Sequence, residues 1–186
     1  MKNAALTKTA YSMLCALCVA LSAAVQLVFP GFGTGRALAF SVFLCAVCCP
    51  LRYGVFCALL CPVVAMMTAA SPSAALLPGN MAECLVFVLL LRLLFGWVHT
   101  GRLLTDLYIS LVPAVSLGKI VGAVISAAIF CGDGNSMLLF VLHSLIAAVP
   151  EITVLLALTP GAVKLLKSLG LTEEKQPIKN NTENSV

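Results

Sequence analysis

The sequence predicts an all-α fold, a polytopic membrane protein built as a compact bundle of about six transmembrane helices with both termini cytoplasmic. Two observations carry that class. Hydrophobic residues make up 61% of the chain and charged residues only 10%, where a soluble domain carries about 25% charged residues. Most of those few charges sit at the ends of apolar runs or in the final stretch, so that most of the runs approach the roughly 20 residues a helix needs to cross hydrocarbon. Residues 1–170 read as one membrane domain, and the mostly polar residues 171–186 read as a disordered cytoplasmic tail.

The first predicted span covers residues 8–29 and ends in the turn Pro30, Gly31, Phe32, Gly33, Thr34, Gly35. A second covers residues 37–49. With about 13 apolar residues it is short for a span, and a re-entrant hairpin with the third is the other reading. Pro50, Leu51 and Arg52 break it, and a third span runs over residues 55–68 before a loop at 69–79 that holds Pro72 and Pro78. The fourth covers 81–98 and the fifth 107–130. After a turn at 131–135 the sixth covers 137–166.

Charge orients these spans. Lys2, Lys8, Arg52, His99, Arg102, Lys164 and Lys167 all fall on one side of a six-span bundle, which the positive-inside rule makes cytoplasmic. Arg36 falls near the opposite face, so the loops at 30–35 and 69–80 are predicted outside. A cleaved signal peptide fits poorly, because the first apolar run is too long and further spans follow it.

The same composition excludes several functions. The eleven Lys and Arg residues are dispersed rather than gathered into a basic face with interleaved aromatics, so nucleic acid is not an expected partner. Nine cysteines include the pair Cys15 and Cys18, the group Cys45, Cys48 and Cys49, and Cys57 with Cys61. Most lie deep in apolar runs with no His beside them, which reads as small apolar packing; no metal and no other cofactor is expected. Gly31, Gly33 and Gly35 echo a phosphate loop but follow a membrane helix instead of a strand. No convergent nucleophile and base are visible, so an enzyme is not expected.

Two features point to function. Ser12, Ala16, Ala20 and Ala24 recur every four residues on the first helix, a small-residue face that permits close approach either within the bundle or to a partner subunit. Charges inside the spans are the second, since an ionisable group at the centre of a membrane helix costs at least about 2.5 kcal/mol. Lys119 lies mid-helix and wants a carboxylate, with Glu83 and Glu151 as internal partners. A Lys119–Glu151 pair would be structural; Lys119 and Glu83 facing a polar cavity would read a solute. Arg92 is expected to snorkel toward the cytoplasmic side, and His143 to be a packing histidine.

The order and length of these segments resemble the substrate-specificity (S) components of energy-coupling factor transporters. The resemblance covers residues 6–169 and rests on the small-residue face of the first helix and the stretch Ser71, Pro72, Ser73, Ala74, Ala75, Leu76, Leu77, Pro78, Gly79, Asn80, Met81, Ala82, Glu83. It also rests on Gly118, Lys119, Ile120, Val121, Gly122, on Val149, Pro150, Glu151, Ile152, and on Leu158, Thr159, Pro160. It implies a multi-pass subunit of the bacterial cytoplasmic membrane that captures a vitamin or related small solute near the outer face, under the loops at 31–35 and 69–80. Ser12, Ala16, Ala20 and Ala24 would then dock on a transmembrane coupling subunit, with two cytoplasmic ATPase subunits supplying energy. Lys119, Glu83, Asn80, Arg36 and Glu151 are the implied substrate-binding residues. Two positions depart from the pattern: Lys119 stands where Arg is common, and Glu151 where a small residue is. An acid beside the cation counts against an anionic ligand. The alternative function is a noncatalytic assembly or scaffold protein that packs through its small-residue helix face.

Overall fold

A computed structural model of the chain describes residues 2–28, 34–69, 76–98, 100, 102–130 and 134–168. Its elements are six helices: α1 (Lys2–Val28), α2 (Thr34–Cys48), α3 (Leu51–Ala69), α4 (Leu77–Trp97), α5 (Leu103–Phe130) and α6 (Gly134–Ser168). Four stretches are long and apolar enough to cross a bilayer, at Leu51–Thr68, Leu77–Trp97, Leu103–Phe130 and Ser136–Gly161, compatible with a multi-pass membrane protein. The apolar stretches of the other two helices, Thr9–Val25 and Leu38–Cys48, are shorter. At 15 residues, α2 is about 22 Å long against roughly 30 Å of hydrocarbon.

Each predicted span is a helix, but several begin earlier than expected. Pro50 does not interrupt the chain for several residues; its carbonyl accepts from the Tyr53 and Gly54 amides at 2.9 and 3.3 Å, so α3 starts at once. Proline lacks only a donor that the first helical turn leaves unused. The same logic places Pro78 in the first turn of α4.

The helices bury faces of 3.6-residue period. On α1 the inner face is Cys15, Cys18 and Ser22, with Tyr11, Leu14 and Val19 half-buried beside it. On α3 it is Cys57, Ala58, Cys61 and Ala65, and on α6 it is Ala148, Glu151, Leu155, Thr159 and Val163. Helix α2 is buried on most sides and touches α1, α3, α4 and α6. Because so many neighbours cover it, the shortest helix can be the most central.

Arg92 has a partner within the bundle. Its guanidinium Nη2 donates to the Cys49 carbonyl just beyond the end of α2, where unpaired carbonyls and the negative end of the helix dipole collect. His143 is exposed instead of packed, because it lies off the inner face of α6. At the start of α5, the buried Asp106 carboxylate accepts from the Thr100 amide at 2.8 Å and from the Thr100 hydroxyl, tying the α4–α5 connection to the helix.

Candidate functional site

The site grows out of the α4–α5 interface, the most extensive helix pairing in the molecule. Gly118 and Gly122 lie one turn apart on α5 and meet Gly79, Glu83 and Phe87 on α4. A Cβ at Gly122 would stand 2.7 Å from Glu83 Cβ and 2.9 Å from the Gly79 carbonyl oxygen; one at Gly79 would stand 2.0 Å from Ser126 Oγ. Neither position tolerates a side chain at this separation. The two backbones therefore close to a distance set by bare Cα atoms, as glycines four apart allow in membrane helices.

That approach sets Lys119 beside Glu83. Lys119 Nζ lies 2.6 Å from Glu83 Oε1 and 2.8 Å from Glu151 Oε2, so one ammonium bridges carboxylates from two other helices. Glu151 reaches the site from α6 immediately after Pro150, whose missing amide removes one backbone bond from the preceding turn. Its Oε1 is buried and has no hydrogen-bond partner.

Lys119, Glu83, Glu151 and Asn80 all line one cavity of about 230 Å³, walled by Leu38, Ala39, Leu76, Cys84, Phe87 and Val115. The cavity lies toward the end of the bundle where α2 and α4 begin, lined there by Leu38, Leu76 and Asn80. Four of the five expected substrate-binding residues thus come together. The fifth, Arg36, belongs to the first turn of α2, but its side chain lies outside the described residues, as do the loop residues 29–33 and 70–75 and the tail 171–186. The choice between a Lys119–Glu151 pair and a Lys119–Glu83 cavity was a false alternative, since both acids contact the amine and all three groups line the cavity.

Sequence reasoning missed the apolar wall, Phe87, Val115, Cys84, Leu38 and Ala39. It also missed the purpose of Gly118 and Gly122, although a pair of glycines four apart inside a span is a readable packing signal.

Ser12, Ala16, Ala20 and Ala24 lie on the exposed face of α1, together with Met13, Leu17 and Leu21. The intramolecular reading of the stripe is thereby corrected: α1 buries the opposite face, carrying Cys15 and Cys18. The cysteines assemble across helices, with Cys15, Cys45 and Cys57 Sγ all within 4.8 Å of one another and Cys61 Sγ 3.5 Å from Cys57 Sγ. Cys15 and Cys45 are placed to donate to the Tyr53 carbonyl at 3.7 and 3.6 Å. Three thiols at that spacing offer sulfur ligands to a soft ion, and as neutral groups they fill space and satisfy one α3 carbonyl.

Comparison with known proteins returned nothing similar: no family model, no curated protein and no solved structure matches the chain.

Proposed function

We propose that the chain is a membrane-embedded substrate-binding subunit of an importer of the energy-coupling factor type, multi-pass in the bacterial cytoplasmic membrane with both termini inside. One observation carries the reading. Three charged side chains from three helices converge on a cavity inside a mainly apolar bundle, and ionisable groups at membrane depth mark binding sites or pathways. A pocket lined mainly by apolar groups with a few convergent polar ones is the usual form of a small-molecule site. The cavity of about 230 Å³ lies below the roughly 300 Å³ at which drug-sized pockets begin. A single-ring vitamin precursor or short-chain solute fits that scale better than a flavin.

The exposed small-residue face of α1 supports docking on a transmembrane coupling subunit energised by two cytoplasmic ATPase subunits. Leucine at both Ala16 and Ala20 should leave solute binding unchanged and abolish co-purification with the coupling subunit. Retained co-purification would remove α1 from the docking surface.

A second reading, a noncatalytic scaffold, draws on the same salt bridges: Lys119 is already satisfied by the protein's own acids. A thermal-shift screen of the purified chain against water-soluble vitamins and their precursors, repeated with Lys119→Ala, separates the two. A native-state ligand at one hundred times its Kd stabilises by about 2.7 kcal/mol. A rise with one compound, lost in the variant, supports the binding subunit; no rise with any compound, together with a variant that fails to fold, supports the scaffold.

A further inference from the structure

Resting on the solute-binding reading, we infer that the site takes a small cationic solute whose charged N–H group, an ammonium or amidinium, docks on Glu151 Oε1. Three observations converge. One ammonium faces two acids, at 2.6 and 2.8 Å, so by formal charge the triad carries one negative charge in excess. Of the described side chains that line the cavity, Lys119, Glu83 and Glu151 are the charged ones, and among them Lys119 is the one cation.

The second observation is the unsatisfied oxygen. The Glu151 side chain is 6% exposed, Oε2 is engaged by Lys119, and Oε1 is buried without a partner. Buried polar atoms in folded proteins are paired with few exceptions, because leaving water without gaining a partner is costly. A donor arriving with the ligand satisfies it once the Glu151 side chain turns to bring Oε1, which has almost no accessible surface of its own, to the cavity that this residue lines.

The third is the wall. Phe87, Val115, Leu38 and Leu76 surround the acids with apolar surface, where a charge-assisted bond is stronger than in water. Phe87 also offers an aromatic ring, the kind of surface on which a delocalised cation rests. An anion would instead meet an excess carboxylate while Lys119 stays held by its two partners.

The test is isothermal titration of the detergent-purified chain with two series of near-isosteres: benzamidine, benzamide and benzoate, and butylammonium, butyramide and butyrate. The cation of at least one series should bind ten or more times more tightly than its neutral partner, with the anion weakest. Glu151→Gln should erase that preference. Glu83→Gln, which also brings the triad to zero net charge but leaves Glu151 Oε1 in place, should weaken it while keeping the order, and it serves if the first variant does not fold. Equal or tighter binding of a neutral or anionic member overturns the inference and leaves the solute-binding reading standing. Where neither series binds, the charge of the vitamin or precursor that does bind decides in the same way. Silence from every compound overturns both readings together.

Discussion

The two halves of the bundle solve the same problem, bringing apolar helices into close contact, with opposite chemistry. In the α1–α3 half, Cys15, Cys18, Cys45, Cys49, Cys57 and Cys61 interdigitate at 5% exposure or less. Their side chains are small and polarizable, and the helices close on them without ion pairs among the described residues. In the α4–α6 half, glycines bring the backbones together and three charged side chains meet at a cavity. The first half is finished by its own side chains. The second is left with an open space and an unpaired oxygen, the signature of a region shaped for something other than its own stability.

The sharpest break of that contrast is Lys119→Met. It leaves two carboxylates facing each other without their cation, and removing one partner of a buried ion pair costs about 3–5 kcal/mol. A large drop in thermal midpoint is expected. Combining Lys119→Met with Glu83→Gln and Glu151→Gln should recover most of it, because an uncharged set has nothing left to neutralise, while solute binding stays lost. Recovery of binding in the triple variant would deny the triad any part in recognition.

A smaller effect is expected at the glycines. Gly122→Ala puts a methyl group 2.7 Å from Glu83 Cβ, and overpacking of this kind costs about 1–3 kcal/mol. Because the methyl also pushes α4 and α5 apart, solute affinity should fall more than tenfold, along with a lowered midpoint. Affinity unchanged beside reduced stability would mean that the α4–α5 spacing does not set the site.

The smallest effect belongs to the sulfur half. Cys57→Ala removes one buried atom and should cost about 1 kcal/mol through the small void it leaves, with solute affinity unaltered. A loss of binding from this position would erase the division between the halves. A loss of stability well above that range, reproduced in wild-type protein by a soft-metal chelator, would show that the thiols of Cys15, Cys45 and Cys57 hold an ion.

Much of this was legible beforehand for definite reasons. Apolar run length and proline or glycine breaks are local properties, and they located all six helices to within about two turns. Lys119 stood out because a charge in mid-span is rare whatever surrounds it, and Glu83 and Glu151 followed as acids within other spans. Where reading stopped, the missing quantity was rotational. Nothing in the spacing of Ser12, Ala16, Ala20 and Ala24 says whether that face or the Cys15 and Cys18 face turns inward, since both are small and apolar. Cys57 could not be matched to Cys15 and Cys45 because they lie on separate helices, and Arg92 could not be assigned to Cys49, 43 residues away.

By itself the sequence determined the all-helical class, the helices seen among the described residues and the presence of charges within long apolar runs, because each follows from the composition along one segment. Only the tertiary structure decided which faces meet. That choice turns on glycine-permitted backbone approach, and it alone put one amine between two acids that line a cavity and left a buried carboxylate oxygen without a partner.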